Sequence, residues 1–165
     1  MSILILTGPP ASGKNSVAPL IARQRKRCAV IDVDQVRWML VQPHAAPWEG
    51  ADGKHQMRLG VENTCLLAQR FTEDHCDVLI LDFLWDYTIS IYRQRLKAYQ
   101  PQVIQLMPTL AETLRRNHAR GWLPAHEVEM LYDAQAHFRD YDTQIDNTNL
   151  TVEELAQRIL EYLGT

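Results

Sequence analysis

Residues 8–15 read Gly-Pro-Pro-Ala-Ser-Gly-Lys-Asn, directly after the apolar run Ile3-Leu4-Ile5-Leu6-Thr7. Where such a loop joins a strand to a helix, several backbone N–H groups converge on one point. The helix N-terminus adds partial positive charge there, so the junction holds an anion. Gly8 and Gly13 permit the curvature and the close approach, and Lys14 reaches the outer phosphates of a nucleotide. The spacing is that of G-x-x-x-x-G-K-[ST] in every place but the last, where Asn15 stands for the hydroxyl residue that ordinarily meets Mg²⁺. Ser16 is no simple substitute, because the next helical residue projects about 100° away. Gly8, Ala11, Ser12, Gly13, Lys14, Asn15 and Ser16 are therefore the expected nucleotide-binding stretch.

Outward from the loop, short β-rich runs alternate with helical patterns. Ser2–Gly8 reads as a buried strand and Lys14–Lys26 as a helix with Pro19 as a local blemish. Cys28–Asp34 reads as a second strand, followed by a short helix from Asp34 to about Val41. The stretch 42–53 (QPHAAPWEGADG) reads as a loop from its Pro and Gly content. Met57, Val61, Cys65 and Ala68 mark a helix over about 54–72, and Cys76–Phe83 a third strand. Ile89, Tyr92, Leu96 and Tyr99 mark another helix, and Gln102–Pro108 a fourth strand. Thr109 with Glu112 has the capping-box spacing for a helix to about Arg120, which the RGWLP stretch breaks. Val128, Leu131, Tyr132 and Phe138 line a further helix. Thr143–Thr148 is a short last strand, and Thr151 with Glu154 caps a final helix faced by Val152, Leu155, Ile159 and Leu163. Five apolar strands separated by helices imply a parallel sheet covered on both faces.

Composition narrows the class. The chain has 165 residues, which suits one domain, and 46% of them are apolar, enough for a core. The net charge of -3 gives no broad field for nucleic acid or a membrane surface. The 3 cysteines form no C-x-x-C pair, so neither a disulfide framework nor a zinc ribbon is expected. The HEVEM stretch at His126 lacks the second histidine of a zinc helix and reads as helix surface. No apolar run has transmembrane length, and the first residues lack the basic start of a signal peptide. A cytoplasmic location is the expectation.

With the loop, VIDVDQVR, VLILD, and RRNHARG followed by QIDNT, the chain resembles the small P-loop kinases of the nucleoside-monophosphate-kinase-like fold. Within that group it is similar to the shikimate and gluconate kinases, the chloramphenicol phosphotransferases and the small bacterial "AAA-family ATPase" proteins. The resemblance implies a three-layer α/β fold with a five-stranded parallel sheet in the order 2-3-1-4-5, a small lid at about 116–126, and ATP as donor. It implies an acceptor contact for Asp34 after strand two, and nucleotide or phosphate contacts for Arg116 and Arg120. It also implies a place against the adenine for 146–148, Asn147 included.

The acids at the strand ends fit that reading, since ligands in open α/β sheets sit beyond the carboxyl ends of the strands. Asp82 is placed to hold Mg²⁺ directly or through water. Asp32 and Asp34, two apart, share a strand face if the strand stays extended; Asp34 is the candidate general base, or else simply the cap of the next helix. Asp32 is assigned behind the metal, with Asn15, Asp32 and Asp82 as the candidate metal set. Arg37 is either an acceptor-binding residue or a solvated surface arginine. Trp48 is the substrate-binding candidate in the loop; His44, Trp85 and Asp86 are lesser ones. Lys14, Asp34 and Arg120 form the expected catalytic set. The expected activity is transfer of the γ-phosphate of ATP to a hydroxyl of a small molecule, by a monomer or homodimer. A non-catalytic nucleotide-binding regulator is the alternative that Asn15 raises. No N-K-x-D stretch for reading guanine is present.

Overall fold

The computed structural model describes residues 2–164. Strand β1 (Ile3–Thr7) lies at the centre of a five-stranded parallel sheet with β2 (Cys28–Asp32), β3 (Asp77–Leu81), β4 (Gln102–Leu106) and β5 (Thr143–Ile145), in the order β2-β3-β1-β4-β5. All five residues of β1 are buried. The strand repeat of two turns Ile3 and Ile5 to one face and Leu4 and Leu6 to the other, and each pair joins a different core. That is why β1 reads as a continuous apolar run: a central strand has two dry faces.

One face is covered by α1 (Lys14–Arg23) and α7 (Val152–Tyr162), through Val17, Ala18, Ile21, Leu155 and Ile159. The other carries α2 (Val33–Trp38), α3 (Gly50–Glu73) and α4 (Asp86–Arg95), through Val36, Val61, Cys65, Ala68, Ile89 and Tyr92. Helices α5 (Leu110–Arg120) and α6 (Ala125–His137) pack on each other beyond β4. The expected order and layering are therefore observed.

Several boundaries differ from expectation, each for a local reason. β2 stops at Asp32, whose carboxylate accepts the Asp34 N–H at 3.1 Å and caps α2. Asp32 is thus the cap, Asp34 lies inside the helix, and the two acids do not share a strand face. α2 ends at Trp38, short of Val41, and α1 ends at Arg23, short of Lys26. α3 begins at Gly50, inside the stretch read as loop. Gly53 is there for packing: a Cβ on it would stand 2.0 Å from the Ala46 carbonyl oxygen. The Thr109 hydroxyl accepts the Glu112 N–H at 3.4 Å, but Glu112 spends its carboxylate on Arg115 and Arg116, so only half the capping box forms. At α7 the box is complete, with Thr151 and Glu154 bonded both ways. Val152 is more than a third exposed and does not face the core.

Gly53→Ala should destabilise the protein by about 1–3 kcal/mol, the usual cost of forcing atoms into filled space. Chemical denaturation of the two proteins checks this; an unchanged midpoint would show that the Ala46 turn yields freely.

Candidate active site

The loop after β1 passes so near the end of β4 that a Cβ on Gly8 would stand 2.2 Å from the Leu106 carbonyl oxygen. Gly8 has φ +144° and Gly13 φ +100°, backbone that side chains rarely tolerate. From the far side the Asn147 amide donates to the Ser12 carbonyl oxygen at 2.8 Å. Only the amide nitrogen can make that bond, so Asn147 Oδ1 is fixed the other way, where it is buried and unpaired. The Lys14 ammonium folds over the loop and donates to Gly8 O at 2.8 Å, Pro9 O at 3.2 Å and Ser12 Oγ at 3.3 Å. Desolvation lowers its pKa to about 8, against the pull of Asp34, Asp82 and Asp32.

Asn15 does not stand alone. Its amide donates to Asp32 Oδ2 at 2.7 Å, while Asp32 Oδ1 caps α2. The carboxylate only accepts, so the amide nitrogen faces it and Asn15 Oδ1 is left free. Asp82 follows β3, is 5% exposed, and accepts the Tyr92 hydroxyl at 2.8 Å. Burial pushes its carboxyl up to about 7, a rise that the Tyr92 hydrogen bond opposes and the Asp34 charge adds to. Arg37 is no surface arginine. It is 6% exposed, donates to Asp34 Oδ1 at 3.4 Å and to the Ala45 carbonyl oxygen at 3.1 Å, and leaves Nε unpaired. Gly60 makes room for its stem, since a Cβ there would lie 2.4 Å from Arg37 Cγ.

These residues border two depressions. One, a cavity of about 240 Å³, is lined by Lys14, Asn15, Asp32, Asp34, Arg37 and Asp82 on its polar side. The other lies between α1, α5 and the β5–α7 loop, and is lined by Ser16, Arg116 and Asn147. Ala11, Gly13 and Arg120 line both. Arg116 donates to Glu112 Oε1 at 2.6 Å, to Asn147 O at 2.9 Å and to Thr148 O at 3.3 Å, which ties α5 to the β5–α7 loop. Arg120 donates to Ser16 Oγ at 3.5 Å. Gly121, at φ +62°, ends α5 just beyond it.

The substrate-binding candidate Trp48 lines the cavity; of the lesser candidates His44 and Trp85 do so as well, while Asp86 opens α4 outside it. Trp38, Phe83 and Trp122 line it too, and no sequence signal marked them. Trp38 sits where a helical pattern allows core or surface alike, and Trp122 lies in a stretch legible only as a helix breaker. Among the described residues no group of three or more His, Cys, Asp or Glu forms a metal cage. The oxygens present still suit Mg²⁺, which takes one or two protein ligands beside phosphates and water. Asn15 Oδ1 is free to serve, and Asp32 and Asp82 supply carboxylates on the same cavity.

No family model and no curated protein matches the chain. Solved structures do. A tunicamycin resistance protein from Deinococcus radiodurans has a TM-score of 0.75 at 17% identity, over 99% of this chain and 96% of that one. The shikimate kinase of Bacteroides thetaiotaomicron has a TM-score of 0.75 at 14% identity, over 99% of each chain. The APS kinase of Mycobacterium tuberculosis, solved with AMPPNP and APS, has a TM-score of 0.72 at 18% identity, over 99% and 98%. The fold is that of the P-loop kinases. In the P-loop kinase fold, then, the loop at Gly8–Asn15 occupies the β1–α1 junction, and both depressions lie at the carboxyl end of the sheet. No helix among the described residues is long and apolar enough to cross a membrane.

The raised Asp82 carboxyl has a consequence for stability. The folded protein keeps a proton that the unfolded chain gives up from pH 3.8 onward. This contribution is full below pH 3.8 and is lost as the pH rises through about 7. Denaturation midpoints of the ligand-free protein should fall across that window, and Asp82→Asn should flatten the fall. An equal fall in both proteins would place the effect on other groups.

Proposed function

We propose that the protein transfers the γ-phosphate of ATP to a hydroxyl of a small molecule. The observation that carries this is the shared wall: Ala11, Gly13 and Arg120 line both the depression by the β5–α7 loop and the acidic cavity. A nucleotide base in the first and an acceptor in the second would meet at the P-loop, where the phosphate changes hands. Arg116 spends Nε and one terminal nitrogen on Glu112, Asn147 O and Thr148 O, which holds its plane in place for a base to meet its flat face.

The roles follow from position. The P-loop N–H groups and Lys14 hold the phosphates, and Lys14 trades its loop carbonyls for phosphate oxygens. Asp34, exposed on the cavity and steadied by Arg37, orients the acceptor hydroxyl and takes its proton. The hydroxyl oxygen attacks the γ-phosphorus, the bond to the bridging oxygen breaks, and ADP leaves with the electron pair. Arg120, at the seam, balances charge on the transferring group. Mg²⁺, held by Asn15 Oδ1 and the carboxylates of Asp32 or Asp82, would neutralise the nucleotide's phosphate oxygens.

The test is ATP-dependent phosphorylation across a panel of hydroxyl compounds, read as ADP release against a no-acceptor control. Asp34→Asn should leave ATP affinity nearly unchanged and cut acceptor-dependent turnover by about 10²–10⁴-fold, the span of general base catalysis, or less if the transition state is loose. Full turnover in that variant would reduce Asp34 to a helix residue.

A magnesium titration addresses Asn15. Asn15→Ser should keep turnover and lower the Mg²⁺ needed, because the shorter hydroxyl restores the common ligand. Wild type that holds ATP without turnover at any Mg²⁺ level, with every acceptor, would instead support a nucleotide-binding regulator.

A further inference from the structure

The chain's 4 tryptophans come from four separate places in the sequence. All of them, Trp38, Trp48, Trp85 and Trp122, line the one cavity beside Asp34. Trp38 stacks on His44 with ring centroids 4.2 Å apart, and Phe83 packs on Trp85 at 4.8 Å. These pairs come from the α2–α3 and β3–α4 segments, so the aromatic wall is assembled only by folding. Trp38 is 64% and Trp122 57% exposed, although both border the cavity. Two large indoles left in water beside a cavity are unused area for an apolar ligand.

The cations of the same cavity are already engaged, apart from Arg37 Nε, which is buried and unpaired. Arg37 gives its two terminal nitrogens to Asp34 and to Ala45 O, so it offers no open fork to a carboxylate. Lys14 and Arg120 belong to the phosphate. The rest of the wall, with Pro47, Met57 and Leu131, is apolar. A polyol or sugar acid would lose water from many hydroxyls here and find few partners, each unpaired group costing about 1–3 kcal/mol. A flat ring loses nothing comparable and gains stacking. Its polar needs are small and are matched: Trp85 Nε1 and His44 Nδ1 are buried and unpaired, on residues that line the cavity.

Resting on the phosphotransfer reading, we infer that the acceptor is an alcohol carried on a flat aromatic body with a second hydrogen-bonding group beside it, the ring on the tryptophan wall and the reacting hydroxyl at Asp34. Sugars, sugar acids and saturated ring acids are poor acceptors for the same reason.

Intrinsic fluorescence reads this directly, because every tryptophan is at the site. Without ATP, 3-phenylpropane-1,2-diol should change the emission saturably. Its saturated twin 3-cyclohexylpropane-1,2-diol should bind about tenfold more weakly, and gluconate and shikimate should leave the emission unchanged. With Mg-ATP, phosphorus NMR should show a phosphate ester of the phenyl diol. Trp38→Ala and Trp122→Ala, both exposed and so safe for folding, should each raise its KM about tenfold with kcat little changed. Leu66→Ala, on the exposed side of α3, should change neither. Equal binding of the two diols, tighter binding of gluconate or shikimate, or no binding of the phenyl diol would each overturn the inference. Binding of the phenyl diol as expected, with no ester formed from any compound, would uphold the aromatic site and defeat the phosphotransfer reading.

Discussion

The backbone at Gly8 touches the carbonyl end of β4 so closely that no side chain fits between them. The geometry of the site depends on that contact. It fixes where the loop leaves the central strand, and the loop fixes where α1 starts. Asn147 then closes the loop from the β5 side by bonding Ser12 O. Two neighbouring strand ends thus clamp the segment, and its N–H groups keep a fixed aim without any ligand. Preorganisation of this kind is what electrostatic stabilisation of a phosphoryl group requires, since dipoles that must reorient contribute less.

A second set of bonds joins that loop to the rest of the site. Asn15 bonds Asp32, Asp32 caps α2, and α2 carries both Asp34 and Arg37. The residue that departs from the common motif is therefore a strut between the phosphate loop and the helix that bears the candidate base. Arg37 extends the chain to the Ala45 turn and rests in the space left by Gly60. Below the site, Gln135 bonds Thr7, Gln105 and the Leu84 carbonyl, which holds the ends of β1, β4 and the β3–α4 loop in register. Buried polar networks of this kind are costly when incomplete and rigid when complete.

The sheet was legible because its three inner strands are dry on both faces and the helices are not, which leaves runs and periods in the chain. The loop was legible because its glycines and lysine are required at fixed spacing. Boundaries were less so. Asp32 and Asp34 both suit a cap, and only the turn of the backbone after β2 selects Asp32. Gly50 and Gly53 look like breakers, yet both lie within α3, because Gly53 is needed to pass the Ala46 turn. Arg37 looked as much a surface residue as a binding one; burial under α3 could not be read from its neighbours.

By itself, the sequence determined the layered α/β fold, the phosphate loop and the acids at the strand ends. Those features are local: each needs a pattern within a few residues, set by strand and helix periods or by the backbone freedom of glycine. Tertiary structure alone decided the company each residue keeps. It paired Asn15 with Asp32, turned Asn147 onto the loop, and raised the Asp82 carboxyl by burying it, against the pull of the Tyr92 hydrogen bond. It also gathered tryptophans from residues 38, 48, 85 and 122 around one cavity. The reason is physical: desolvation and side-chain pairing depend on distance in space, and separation along the chain carries no information about either.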